Sequence, residues 1–228
     1  SRGPKPACEG GGVNGASQQG FNPKDHWDAR FGGDDFVFGV EPNAFLAREA
    51  HRLPKGARVL AVADGEGRNG VWLAERGARV TAFDISPAGQ AKAARLAKAR
   101  GVTLDLQVGD VAHWDWEADA FDAVVAIFVQ FAEPPLRAAM FEGMKRATRP
   151  GGLILLQGYR PEQIAYGTGG PRQPENLYTE AMLREAFAGW TLEHLASHDS
   201  ELGEGIGHKG MSALIDLVAR KPGGQGAP

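Results

Sequence analysis

Between residues 58 and 157 the apolar positions fall into short runs separated by longer mixed stretches. Arg58 to Ala63 is one such run, too short for a helix and rich in Val, and the helix-like stretch Asn69 to Arg76 follows it. Arg79 to Asp84 is short and β-branched. Ser86 then offers a cap with Pro87 at the first helical position, and alanines and lysines carry the helix to Arg100. Thr103 to Val108 alternates in polarity, and Phe121 to Ile127 reads as a strand buried on both faces. Pro135 to Thr148 predicts a helix ended by Arg149-Pro-Gly-Gly152, with Leu153 to Gln157 as the fifth strand. Strands that alternate with helices imply right-handed crossovers and a mostly parallel sheet. The last third changes character. Thr179 to Ala188 predicts a helix capped by Thr179. Trp190 to His198 and Met211 to Ala219 predict two strands with a Gly-rich connection between them. The expected fold is α/β: a Rossmann-like, seven-stranded, mostly parallel sheet with helices on both faces and a C-terminal antiparallel hairpin, only the last strand running against its neighbours.

Composition adds boundaries to this picture. Ser1 to Gly20 and Pro222 to Pro228 are rich in Gly, Pro, Ser and Gln and carry too little apolar surface to offset ordering entropy, so both are expected to be disordered tails. Residues 21–221 then form one domain, with 21–53 as an N-terminal helical lid. A net charge of −3 gives no electrostatic reason to expect nucleic acid or an anionic membrane as partner. No apolar run approaches the ~20 residues of a membrane span, and Ser1 to Gly20 lacks a signal-peptide core. The lone Cys8 rules out an internal disulfide framework. A cytoplasmic monomer or homodimer is the expectation.

The candidate chemistry begins at Asp64-Gly-Glu-Gly-Arg-Asn-Gly70, between the first strand and the first helix of the alternating region. Gly65 and Gly67 lack Cβ, so a ligand can lie against the backbone, and a helix N-terminus offers free N–H groups. With Gly70 they spell G-x-G-x-x-G, a pattern that a tight turn without any ligand also produces. Asp84 ends the second strand about 20 residues further on, where a carboxylate can accept from both ribose hydroxyls. Read so, its removal should weaken cofactor binding and leave the ligand-free fold nearly untouched. Asp110, after the third strand in Val108-Gly-Asp-Val111, is placed for an adenine amino group. Each acid alone could be a turn residue; three ligand-type groups at three successive strand ends converge on one crevice. Both NAD and S-adenosylmethionine (SAM) use such a crevice. After Asp110 no second domain remains to hold a hydride acceptor, which favours SAM.

At this point the chain resembles a known family. Arg58 to Asp84, Asp110-Val111, Phe121 to Phe128 and Arg149 to Gln157 resemble the motifs of class I SAM-dependent methyltransferases. Trp27-Asp-Ala-Arg-Phe31, Phe36-Val-Phe-Gly39, Glu41-Pro-Asn43 and Gly65-Glu-Gly-Arg-Asn69 resemble the small bacterial branch that includes tellurite-resistance and thiol methyltransferases. The sequence departs from the family where Ala61 and Ala63 replace the usual acid and first glycine, with Asp64 as the residue that could compensate. The resemblance implies SAM as cofactor and methyl transfer to a small molecule, possible acceptors being a thiol or a chalcogen oxyanion. It adds Phe38, Asn69, Ile85, Val111, Ile127 and Phe128 to Asp64, Gly65, Gly67, Asp84 and Asp110 as cofactor-lining residues.

For the acceptor side the candidates lie in two segments, Trp27, Arg30, Phe31 and Phe38 first and Tyr159 to Arg172 with Glu204 to Lys209 second, and the residues singled out are His208, Tyr166 and Arg160. Glycines at 207 and 210 leave His208 little reason to serve packing, and Tyr166 opens the Gly-rich stretch to Pro171, expected to be a mobile substrate loop. Arg160, Arg172 and Lys209 would favour an anionic acceptor, though each could be a solvated surface charge. His113 could approach adenine or stay on the surface. The six histidines lack ligand spacing such as H-x-x-x-H, so no metal is expected. Two other function classes stay open on the residues alone: a non-catalytic SAM- or partner-binding module, and an NAD-dependent oxidoreductase.

Overall fold

In the computed structural model, which describes residues 21–224, the short apolar runs become the strands of one sheet. They are β1 (Arg58–Val62), β2 (Arg79–Asp84), β3 (Asp105–Val108), β4 (Phe121–Ile127), β5 (Thr148–Tyr159), β6 (Thr191–Glu204) and β7 (His208–Arg220). Their order is β3-β2-β1-β4-β5-β7-β6. The first five strands pair in parallel, and β7 runs antiparallel to both β5 and β6, as expected. The expected tail 1–20 and residues 225–228 of the other lie outside the described residues.

Helices cover both faces because the central strands bury both. Along β1, Leu60 and Val62 join a core with Phe83, Val124, Met140, Met144, Ile154 and Leu156. Val59 and Ala61 face the other way, toward Phe45, Leu46, Leu73, Val125 and Leu155. The first layer is closed by α5 (Pro134–Ala147) and α7 (Glu180–Ala186), the second by α2 (Ala44–Glu49) and α3 (Arg68–Glu75). Helix α4 (Pro87–Arg100) is bounded as its sequence predicts: Ser86 Oγ accepts from Gly89 N at 3.0 Å, and Gly101 ends it at φ +68°. Two further helices are α1 (Pro23–Phe31), which lines the cavity described below, and α6 (Gln163–Tyr166), whose Gln163 Oε1 accepts from Ala213 N on β7.

Two elements differ from expectation. Arg149-Pro-Gly-Gly152 does not end the pairing but bulges within β5: Phe121 pairs with Thr148 and Ala123 with Leu153. The hairpin strands are also longer, so the Gly-rich connection shrinks to Gly205-Ile-Gly207 and His208 becomes the first residue of β7. Gly205 has φ +70°, and a Cβ there would sit 2.4 Å from the Phe38 carbonyl carbon, so this turn closes tightly only with glycine.

Candidate active site

The strand order reverses between β1 and β4, which opens a crevice at their C-terminal ends. A cavity of about 880 Å3 lies there, within the ~300–1,000 Å3 typical of small-molecule sites. Asp64, Gly65, Asn69, Asp84, Ile85, Asp110, Val111, Ile127, Phe128 and Phe38 all line it, as does His208.

Gly65 (φ +57°) turns the chain from β1 toward α3. Asp84 Oδ2 accepts from Gly65 N and Oδ1 from Ser86 N, each at 2.9 Å. Asp84 therefore pins the glycine loop and the start of α4, which corrects the expectation that it carries no structural duty. Each carboxylate oxygen keeps a second lone pair, so a vicinal diol can still be held. Burial raises the Asp84 carboxyl above the ordinary carboxylate range, opposed by these backbone donors. Asp64 Oδ2 accepts from Gly70 N at 3.0 Å, in the first turn of α3. Burial, with Asp84 nearby, pushes Asp64 up to about 7. Gly70 permits this approach, since a Cβ there would meet the Asp64 carboxylate at 2.6 Å. Gly67 does not line the cavity. A Cβ at Gly67 would stand 2.5 Å from that of Ala93, so this glycine lets the loop pack on α4.

On the third strand's exit, Asp110 Oδ1 accepts from Ala112 N at 3.0 Å and its side chain stays 40% exposed at the cavity wall. His113 is largely exposed, beside Asp110 and outside the lining. Much of the remaining lining is aromatic. Trp27 and Phe31 come from α1, Phe38 from the following loop and Phe128 from the exit of β4. The His208 ring stacks on Phe38 at 4.5 Å between ring centroids and meets Phe128 in a tilted contact at 4.3 Å.

The structure does not bring Arg160 and Tyr166 to this cavity. Both point instead to Asp199 on β6, with Tyr166 Oη 3.0 Å from Oδ2 and an Arg160 Nη on Oδ1. The stretch after Tyr166 does reach the wall through Gly169, Gly170 and Pro171. Sequence reasoning missed the contacts that hold the two walls together. Glu66, buried inside the glycine loop, accepts from Val37 N (2.8 Å) and Phe38 N (3.3 Å), and pairs with the buried Lys92 at 2.7 Å. Fully buried Asn43 caps α2 and donates to Gln157 Oε1 at 2.7 Å, while Arg68 pairs with Glu204 at 2.7 Å. Tyr159 adds a hydroxyl 2.6 Å from His208 Nδ1. Asn43, Glu66 and Arg68 lie in family-like motifs, and Tyr159 and Glu204 in the acceptor-side stretches, none of which reveals these partners; Lys92 carries no local signal. Among the described residues, no group of three or more His, Cys, Asp or Glu is arranged to hold a metal ion, and no helix is long and apolar enough to cross a membrane.

Comparison with known proteins agrees with this geometry. Residues 59–152 match the family described as "Methyltransferase domain". The ubiquinone biosynthesis O-methyltransferase of Methylocella silvestris is 38% identical over 108 residues, 47% of this chain and 41% of that protein. The chain spans between 36% and 41% of the length of the curated relatives it matches. Among solved structures, the protein that converts a disulfide bond into a thioacetal group during echinomycin biosynthesis superposes with a TM-score of 0.71. It is 23% identical, over 89% of this chain and 93% of that one. TehB from Haemophilus influenzae superposes with a TM-score of 0.64 at 18% identity, over 87% and 66%. The sheet order and these superpositions give the chain a methyltransferase-like α/β fold, and its similarity to the methyltransferase domain covers residues 59–152, β1 into β5.

Proposed function

We propose that this protein binds SAM in the crevice and transfers its methyl group to a small-molecule acceptor. The observation that carries this reading is the convergence of Gly65, Asp84 and Asp110 on one cavity that aromatic side chains also line. The donor set fits the cofactor. Asp84 offers lone pairs to a ribose diol, and Asp110 offers a partly exposed carboxylate to an amino group. Ile85 and Val111 supply apolar surface for a flat base, and the Phe31 ring packs over Gly65 at the edge of the loop. SAM supplies an activated methyl: as an acceptor lone pair bonds to the methyl carbon, the carbon–sulfur pair returns to sulfur.

The chain's own contribution is then alignment and exclusion of water, which together account for much of the acceleration such transfers need. Residues 21–53 serve as a lid, with Trp27, Phe31 and Phe38 over the reacting centre and Glu66 anchoring the backbone of Phe38 to the cofactor loop. The similarity to an O-methyltransferase is compatible with a hydroxyl acceptor, and the resemblance of the sequence motifs to tellurite-resistance and thiol methyltransferases with a chalcogen oxyanion or a thiol. The test is release of S-adenosylhomocysteine across a panel of thiols, chalcogen oxyanions, phenols and amines. Turnover with one class supports the reading. SAM binding with no turnover on any class favours a non-catalytic binding module.

A further inference from the structure

His208 and Tyr159 form a pair whose proton positions follow from burial. Tyr159 is 1% exposed, its ring stacks on Phe128 at 4.7 Å, and His208 Nδ1 is its hydroxyl's one partner among the described residues. A buried hydroxyl places its proton on an acceptor, and Nδ1 is the acceptor in reach. Nδ1 thus carries the lone pair, and a neutral ring has its hydrogen on Nε2. Among the described residues Nε2 has no partner, and the ring lines the cavity.

The charged groups around the pair favour that state. Arg68 approaches from α3 and Arg30 from α1, while Glu204 on β6 is engaged by Arg68 and Asn43. Burial, then Arg68 and Arg30, push the His208 imidazolium down to about 3, so the ring is neutral at physiological pH. Burial and Glu204 push the Tyr159 phenol upward, so it keeps its proton.

We propose that His208 is a fixed hydrogen-bond donor toward the acceptor, that Tyr159 is the positioning residue that sets its tautomer, and that the site therefore selects acceptors whose reacting atom enters with no proton to lose. The inference rests on the methyl-transfer reading for its substrate side. In the step, the acceptor's lone pair forms the bond to the methyl carbon, and the carbon–sulfur bond breaks with its pair on sulfur. S-adenosylhomocysteine leaves, and no proton passes to the protein. Nε2–H holds the reacting atom in line. An ammonium or an un-ionised alcohol would have to shed a proton into a site where a third positive charge is opposed.

The test uses the full chain labelled with 15N-histidine, without cofactor, with the His208 signals assigned by their loss in His208→Gln. Long-range 15N–1H correlation is expected to show the Nε2–H tautomer with no titration between pH 8 and pH 5. An Nδ1–H tautomer, or titration near 6.5, would overturn the proposal. In Tyr159→Phe the tautomer is expected to become mixed, kcat to fall roughly fivefold to tenfold, and KM for SAM to stay within about threefold, the loss of one hydrogen bond of ~1 kcal/mol. A spectrum unchanged in Tyr159→Phe would contradict the positioning role. With wild-type enzyme the rate should follow the acceptor's own pKa; a limb that vanishes in His208→Gln would make His208 a base and overturn the donor role. Because the spectra are taken on the ligand-free chain, the tautomer they reveal is independent of whether methyl transfer occurs.

Discussion

The two walls of the cavity are built in different ways. The cofactor wall, from β1 to β4, is assembled within about 70 residues of continuous chain, and its key bonds are short in sequence: Asp84 to Gly65, Asp64 to Gly70, Asp110 to Ala112. The aromatic wall, which the proposed function turns toward the acceptor, is gathered from Phe38, Phe128, Tyr159 and His208, four separate parts of the chain. It is locked by bonds between residues far apart, among them Asn43 to Gln157 and Arg68 to Glu204. A wall made of local motifs can be kept while one made of distant contacts is rebuilt, which suits a fixed cofactor and a variable acceptor. Glu66 joins the two, since it sits in the glycine loop and holds the backbone of Val37 and Phe38.

Breaking that joint should have the largest effect. Glu66→Gln removes one partner of a buried ion pair and leaves Lys92 uncompensated, at a cost of roughly 3–5 kcal/mol in urea denaturation. A change below about 1 kcal/mol would show that the walls are held independently.

A second prediction concerns the cofactor wall alone and depends on pH. The Asp64 carboxyl is raised from 3.8 to about 7, so the folded chain holds this proton more tightly than the unfolded chain. That contribution is complete below pH 4 and is lost as pH rises through about 7. Asp64→Asn should match the wild type near pH 4 and exceed it by roughly 2–4 kcal/mol at pH 8, at 1.36 kcal/mol per unit less an allowance for partial exposure. Equal stability at pH 8 would mean that Asp64 is not strained by ionisation.

Asp84→Ala comes next. Two charge-assisted bonds to ribose, not additive, are worth about 2.8 kcal/mol together, so SAM binding should weaken roughly a hundredfold. The ligand-free chain should also lose about 1–3 kcal/mol, because Gly65 N and Ser86 N lose their acceptor. Asp84→Asn should do less on both counts. Unchanged SAM affinity with lowered stability would leave Asp84 with only its loop-pinning role.

The smallest effects are expected outside both walls. Arg160→Ala and Tyr166→Phe disturb a partly exposed cluster on Asp199 and should change stability by less than about 1 kcal/mol and turnover by less than about threefold. A tenfold loss of turnover in either would draw that cluster into the acceptor site.

The contrast also explains what can be read from the sequence. Strand and helix periodicity, the Ser86–Pro87 cap, the glycine loop and the two acids at strand ends are local features, and they appear where residue order predicts them. Arg160 and Tyr166 are legible only as polar residues near glycines, and which face of the long β6–β7 hairpin they meet is decided by pairing across some 40 residues. Glu66, Lys92 and Tyr159 give no sequence sign of their roles, because a buried pair is recognised only when both partners are brought together. His208 stands out in the sequence by its flanking glycines. In the structure Gly207 admits the Phe38 ring, which a Cβ would meet at 2.2 Å.

The most direct test of the central claim is calorimetric titration of the full chain with SAM, S-adenosylhomocysteine and NAD under one set of conditions. Micromolar binding of the first two, lost roughly a hundredfold in Asp84→Ala, with no heat from NAD, is the predicted result. Binding of NAD in place of SAM, or no binding of SAM at all, would contradict the assignment of this crevice.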